Sequence, residues 1–222
     1  MEDAAEFFAG NQFVLPPFAF WSVEDWQTKG PEVENIVKNG LGWDITDYGL
    51  GDFQQYGLLL FTLRNGNLAD WERGIGVPYA EKIMIAEVGQ AHQMHFHWHK
   101  KEDIINRAGG DLVLELFNAT DEETLADTDV ELLVNGQLMR YKAGAQVRLE
   151  PGESITLPTK TYHRFWAEGE RVMIGEVSMI NDDRQDNCFY QRIGSGRFSA
   201  VEEDEPLKYL LFTDYERYWQ HS

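Results

Sequence analysis

Short apolar segments that follow one another closely are the feature that most limits how this chain can fold. From about residue 57 onward, runs such as GLLLFTLR, EKIMIAEV and QMHFHWH are separated by short turn sequences, with no helical pattern between them. Asn135-Gly136 lies between two further runs, and this dipeptide favours the tight turn of a β-hairpin because both residues tolerate a positive φ. Many short strands without intervening helices are typical of antiparallel sandwiches and barrels. We therefore predict a mainly β fold.

The first part of the chain has a different pattern. Ser22 followed three residues later by Asp25 resembles a capping box, and Pro31 is placed to begin a second short helix that Gly40 ends. We expect one domain with a helical or irregular N-terminal extension (1–56), a β-barrel (57–213) and a C-terminal tail (214–222). The remaining predicted strands are DLVLELF, VELLV, QLMRYKA, AQVRLE, ESITLP, HRFWAE, RVMIGEVSMI and LKYLLFT.

The charge of the chain limits its partners. A formal net charge of −19, from 38 acidic and 19 basic residues, would repel nucleic acid and anionic lipid, whereas a neutral sugar or a cation meets no such barrier. The acidic start of the chain does not resemble a secretory signal, and no apolar stretch is long enough to span a membrane. With a single cysteine, Cys188, we expect a cytoplasmic protein that binds neither nucleic acid nor membrane.

A cluster of histidines is the strongest sign of chemistry. His92, His95, His97 and His99 lie within eight residues of one another. Side chains alternate along a strand, so His95 and His97 would point the same way and could converge on one ion. Imidazole combined with carboxylate suits Mn, Fe, Co, Ni or Zn. An isolated His-x-His is as often a pair of ordinary surface or core residues, so the pattern alone leaves both interpretations open.

The surroundings of the cluster match a known motif. The first part reads G-x5-H-x-H-x4-E-x6-G, with Gly89, His95, His97, Glu102 and Gly109 at the defining positions. The second part keeps Gly152, Pro158 and His163. Together they resemble the two motifs of the cupin superfamily, although Lys160 and Ala167 replace its usual glycine and asparagine.

The resemblance implies a fold and a ligand set. It implies a jelly-roll β-barrel with a metal ion inside, held by His95, His97, Glu102 and His163. Glu115 remains a rival, because a carboxylate in the apolar strand DLVLELF needs a partner if its face is buried. It could be a further ligand or a group that orients a histidine.

Longer segments resemble one cupin family in particular. HFHW joined to KEDIINR, together with LPPFAFW, LGWDITDYG, PGESITLP and GEVSMINDDRQDN, is similar to the D-lyxose isomerase family over nearly the whole chain. Ala108 and His99 depart from the pattern of that family, but neither is an expected ligand. The resemblance implies reversible conversion of D-lyxose to D-xylulose, and of D-mannose to D-fructose, with a divalent ion such as Mn²⁺.

Such an isomerisation needs groups that move protons. We expect Lys100 and Glu176 to do so, with burial beside a cation lowering the pKa of Lys100, although a solvated lysine or a salt bridge would also explain them. We expect His99, Asp183 and Asp186 to contact the sugar.

Two other functions use the same ligands. An iron-dependent cupin dioxygenase and a non-catalytic sugar-binding cupin both remain open, because the fold with its metal does not determine a reaction. Many aromatic side chains outside the predicted barrel also make a homodimer plausible.

Overall fold

The structure is a computed structural model and describes residues 1–191 and 206–219. Its strands are β1 (Gly42–Thr46), β2 (Leu58–Arg64), β3 (Tyr79–Ala86), β4 (His95–Phe96), β5 (Glu102–Asn118), β6 (Val130–Val134), β7 (Gln137–Tyr141), β8 (Ala145–Leu149), β9 (Ser154–Leu157), β10 (Thr161–Met179) and β11 (Cys188–Phe189). Its α-helices are α1 (Glu2–Gly10), α2 (Val23–Gln27), α3 (Glu34–Lys38), α4 (Phe53–Tyr56), α5 (Leu68–Glu72) and α6 (Tyr215–Tyr218). Short 3₁₀ turns are formed by Pro17–Phe20, Pro31–Val33 and Phe212–Asp214.

The strands form one antiparallel sheet in the order β1-β2-β3-β10-β5-β9-β6-β7. In addition, β8 pairs with β5, and β4 pairs with both β10 and β11. The two halves of β5 therefore have different outer partners, β9 first and β8 later. The change occurs near Gly109, where φ is +98° and an added Cβ would lie 2.0 Å from the Arg171 carbonyl oxygen. Only glycine allows the two long strands to approach so closely here.

The sheet buries side chains on both of its faces. The inner face holds the main apolar core, which includes Leu60, Met84, Leu114 and Ile174. The outer faces of β2, β3 and β10 pack beneath the N-terminal segment, where Phe8 is fully buried. Burial on both faces explains why β2 and β3 read as continuous apolar runs rather than as alternating ones.

The mainly β fold and the capping box of Ser22 and Asp25 are as predicted. Other elements differ. A short helix, α5, lies between β2 and β3, where no helix was predicted, and the predicted strands HRFWAE and RVMIGEVSMI form the single strand β10. A strand, β1, lies within the predicted helical extension, and the run QMHFHWH forms only the two-residue strand β4. The run LKYLLFT forms a bridge at Leu211 and a 3₁₀ turn instead of a strand, because Leu210 packs against Trp26 and Tyr215.

Parts of the predicted segments, residues 192–205 and 220–222, lie outside the described residues. Among the described helices, none has the length and apolar composition needed to cross a membrane.

Candidate metal centre and active site

Three buried histidines converge inside the barrel. His95 lies in β4 and His163 lies directly opposite it in β10, while His97 follows β4 by one residue. The candidate ligand atoms of all three lie within 4.8 Å of one another. Each of these residues is at most 5 % exposed. The sequence prediction that they share one point is therefore met by the geometry.

The backbone fixes the orientation of each imidazole. The Nδ1 atom of His95 lies 2.8 Å from the Gln93 carbonyl oxygen, and that of His163 lies 3.0 Å from the Thr161 carbonyl oxygen. The Nδ1 atom of His97 lies 2.5 Å from the Asp186 carbonyl oxygen. A ring nitrogen that faces a carbonyl carries the proton, so Nε2 of each ring is left as a lone-pair donor. This arrangement is typical of histidines that bind metals.

Glu102 completes the set from the start of β5. Its Oε1 atom lies 3.1 Å from Nε2 of His163 and 3.3 Å from Nε2 of His97. Among the described residues, this buried oxygen has no hydrogen-bond donor. Imidazole nitrogens and a carboxylate oxygen that face one another at these distances can hold a cation between them. The donor set of three imidazoles and one carboxylate therefore fits a divalent metal ion.

The charge states of these groups also suit a metal. Burial, together with the neighbouring histidines, holds the pKa of His95 well below its ordinary value, so this imidazole is neutral. Burial opposes ionisation of Glu102, but the Lys100 ammonium beside it favours the carboxylate, and the pKa of Glu102 lies well below its usual range. Neutral imidazoles and an ionised carboxylate are the forms that bind metal ions.

Lys100 and Glu176 lie beside the candidate ligands. Lys100 Nζ is 2.8 Å from Glu102 Oε2 and 2.8 Å from Glu176 Oε1. Burial lowers the pKa of Lys100, but the two carboxylates outweigh it and leave this pKa above its ordinary value. The expected lowered pKa is therefore wrong for this structure, because the nearest charges are anionic. Lys100 is present as an ammonium ion, which can donate a proton.

The structure separates the three expected sugar contacts. Asp183 lines the metal cavity, and its contact with the sugar stays a prediction. Asp186 does not line that cavity, because its carboxylate accepts hydrogen bonds from the backbone N–H groups of His99 and Lys100 at 2.9 and 2.8 Å. The His99 side chain is exposed on the outer side of the same turn. Asp186 thus holds the ligand-bearing turn in place, and the sugar contacts expected of Asp186 and His99 stay a prediction.

Glu115 is not near the candidate ligands. Its Oε2 atom lies 2.5 Å from Nε of Arg164, and both side chains line a depression on the outside of the barrel. Leu114 and Leu116, the neighbours of Glu115 in β5, face the inner core instead. The alternative role for Glu115 as a ligand is therefore excluded by the direction of its side chain.

Sequence reasoning missed other residues that line the metal cavity. His92 stacks on Phe165, with ring centroids 4.7 Å apart, and also lies beside His95. Lys82 is buried at 3 % exposure and lines the same cavity. A signal for Lys82 existed, since it shares the inner face of β3 with Met84, as Glu176 shares an apolar face of β10. A charged residue on an apolar strand face marks a functional candidate.

Comparison with known proteins identifies a family. A family model described as D-lyxose isomerase matches residues 1–215. A protein named D-lyxose/D-mannose isomerase from Escherichia coli O157:H7 is 44 % identical over 220 residues, covering 96 % of this chain and 93 % of that protein. One of the same name from Serratia proteamaculans is 45 % identical over 222 residues, covering 98 % and 95 %.

Solved structures show the same fold. The L-ribose isomerase of Cellulomonas parahominis has a TM-score of 0.57 at 16 % identity, covering 88 % of this chain and 92 % of that one. The L-ribose isomerase of Geodermatophilus obscurus has a TM-score of 0.52 at 16 % identity, with the same coverage. The expected jelly-roll barrel of the cupin type is therefore confirmed.

Proposed function

The chain belongs to the D-lyxose isomerase family, and we propose that this aldose–ketose isomerase interconverts D-lyxose with D-xylulose and D-mannose with D-fructose, using Mn²⁺. One observation supports the metal requirement. Glu102 Oε1 lies close to the Nε2 atoms of His97 and His163, and among the described residues it has no hydrogen-bond donor. His95 would complete the ligand set. A divalent ion held there would act as a Lewis acid that stabilises the negative charge of an enediolate.

The chain's own residues would move the protons. Glu176, whose carboxyl group lies beside the cavity, removes the proton from C2 of the aldose and returns a proton to C1. Lys100, an ammonium ion, donates a hydrogen bond and then a proton to the carbonyl oxygen O1. The amine that remains takes up the proton of the C2 hydroxyl as the enediol collapses to the ketone, which restores the ammonium ion. One proton leaves the carbon skeleton and one returns, so the carbonyl moves from C1 to C2 without an oxidant or reductant.

Sugar binding would require part of the cavity wall to move. The space among the side chains is about 30 Å³, which is room for an ion or a water molecule but not for a pentose. Asp183, Asn187 and Phe189 line this space, and all three lie in the segment that follows β10. We infer that this segment shifts to admit the sugar, as loops over active sites commonly do.

An aldose panel tests the proposed reaction. With Mn²⁺ present, we expect ketose formation from D-lyxose and D-mannose without oxygen uptake, loss of turnover on chelation, and its return when Mn²⁺ is added back. Ketose can be measured by chromatography and oxygen by an electrode. Absence of ketose from both sugars would contradict the proposal. Family membership disfavours the iron-dependent dioxygenase and the non-catalytic cupin, since the relatives are named isomerases.

We also propose that the chain is a cytoplasmic homodimer. Leu68, Trp71 and Met179 are each about half exposed or more and line one surface depression beside the active site. Exposed apolar side chains of this density are typical of subunit contacts. The buried, reduced Cys188 is compatible with a cytosolic environment. Sedimentation analysis should give twice the chain mass of 25.6 kDa, and a monomer would contradict the dimer.

A further inference from the structure

Lys82 is a second buried cation beside the metal cavity. It lies in β3 directly opposite Glu176 of β10, and its side chain is 4 % exposed. Its Nζ atom lies 2.8 Å from Asn181 Oδ1 and 3.3 Å from the nearer carboxylate oxygen of Asp183. The same atom is 3.5 Å from Glu176 Oε1. Burying an ammonium ion costs several kcal/mol unless anions surround it, so a lysine at this position has a specific use.

Lys82 and Lys100 share two acceptors. Lys100 Nζ lies 2.8 Å from Glu176 Oε1 and 3.0 Å from Asn181 Oδ1, and Lys82 approaches both of these oxygens. Lys100 has three N–H bonds, which are directed at Glu176, Asn181 and Glu102. A sugar oxygen can therefore be hydrogen-bonded by Lys100 only if one of these acceptors is given up.

We propose that Lys82 is a positioning residue, which keeps Glu176 ionised and in place while Lys100 turns an N–H bond toward the sugar. The inference rests on the proposed function, in which Glu176 and Lys100 form the acid–base pair. When Lys100 turns toward the sugar, Glu176 would lose its nearest hydrogen-bond donor before it removes the C2 proton. Lys82 remains as the cation opposite Glu176 and as a donor to Asn181.

Removal of the Lys82 charge should change the ionisation of the base. Two cations face Glu176, Lys82 from β3 and Lys100 from the turn after β4. Two further carboxylates lie on the far side of these lysines, Glu102 of β5 beside Lys100 and Asp183 of the segment after β10 beside Lys82. With Lys82 present, two lysine charges face three carboxylates in this cluster. Without Lys82, only the charge of Lys100 remains to face them. Loss of a nearby cation favours the protonated carboxyl group, which is inactive as a base.

Three variants test the role of Lys82. Lys82→Met keeps the apolar stem but removes the charge, and we expect kcat on D-lyxose to fall by about a hundredfold with KM changed by less than about threefold. We expect the acidic limb of kcat/KM to move to higher pH by about one unit. Lys82→Arg keeps the charge, so the acidic limb of its kcat/KM profile should lie at the same pH as in the unmodified chain. Lys101→Met removes an exposed lysine and should behave as the unmodified chain.

Metal content and circular dichroism must first show that each variant is folded and loaded. If Lys82→Met does not fold, Lys82→Gln takes its place with the same expectation, because it removes the charge but keeps a donor for Asn181. An unmoved acidic limb in the neutral variant, or equal losses in Lys82→Met and Lys82→Arg at every pH, would overturn the proposal. Absence of aldose turnover in the unmodified chain would instead show that the proposed function itself is wrong.

Discussion

Replacing Glu102 with glutamine is expected to weaken Mn²⁺ binding by at least about a hundredfold and to lower kcat by about a thousandfold. The substitution keeps the size of the side chain but removes its charge. Oε1 of Glu102 is the only anionic atom among the four candidate ligands, and it approaches two imidazoles within 3.3 Å. A neutral amide binds a divalent cation less strongly, and the charge that develops on the substrate then loses several kcal/mol of stabilisation.

The matched control lies on the same strand. Glu115→Gln removes a carboxylate that is paired with Arg164 on the outside of the barrel, so we expect unchanged metal content and turnover. Isothermal titration with Mn²⁺ and elemental analysis measure the metal, and steady-state assays measure kcat. A Glu102→Gln protein that keeps one tightly bound ion and full turnover would exclude Glu102 as a ligand. A loss of metal in Glu115→Gln would show that the cavity was wrongly assigned.

Three of the four candidate ligands could be predicted from local spacing, whereas His163 was assigned through the resemblance of the second motif to that of the cupin superfamily. His95 and His97 lie two residues apart, and Glu102 follows His97 by five residues, so a short strand and a bend are enough to bring the three side chains together. The groups that hydrogen-bond these ligands and fix their orientation could not be predicted in the same way. Nδ1 of His97 is held by the carbonyl of Asp186, which lies 89 residues further along the chain. Only the tertiary fold brings such partners together, so only a sugar contact was predicted for Asp186.

The charge environment of the acid–base pair also depends on tertiary neighbours. The position of Lys100 near the ligands was predicted, but the direction of its pKa shift was not, because the two carboxylates beside it come from different strands. Lys82 and Glu176 face each other across β3 and β10, although 94 residues separate them in the sequence. A charged residue on an apolar strand face can be recognised in a sequence. Its partner can be identified only when strand order and register are known.

Replacing Glu176 with glutamine is expected to lower kcat by about 10² to 10⁴-fold while one Mn²⁺ ion per chain remains bound. The amide is nearly the same size as the carboxylate, so the cavity keeps its shape, but an amide cannot accept the proton from C2. Lys100 keeps Glu102 as an anionic partner, so the ammonium ion remains paired in the variant. A Glu176→Gln protein that keeps its metal but loses turnover would show that proton transfer and metal binding depend on different residues. The Glu102→Gln protein cannot show this, because it is expected to lose both.

Label exchange gives this prediction a second measurement. In deuterated water, the unmodified chain should incorporate deuterium at C1 of the ketose, because a proton held by Glu176 exchanges with solvent, whereas a hydride shift would carry the original hydrogen across. The control is Glu170→Gln, which removes an exposed carboxylate from the same strand and should leave both turnover and labelling unchanged. Product without deuterium, or a Glu176→Gln protein with full turnover, would contradict the role of Glu176. If both occurred together, hydrogen would move directly between C1 and C2, and the buried lysines around Glu176 would serve only to neutralise its charge.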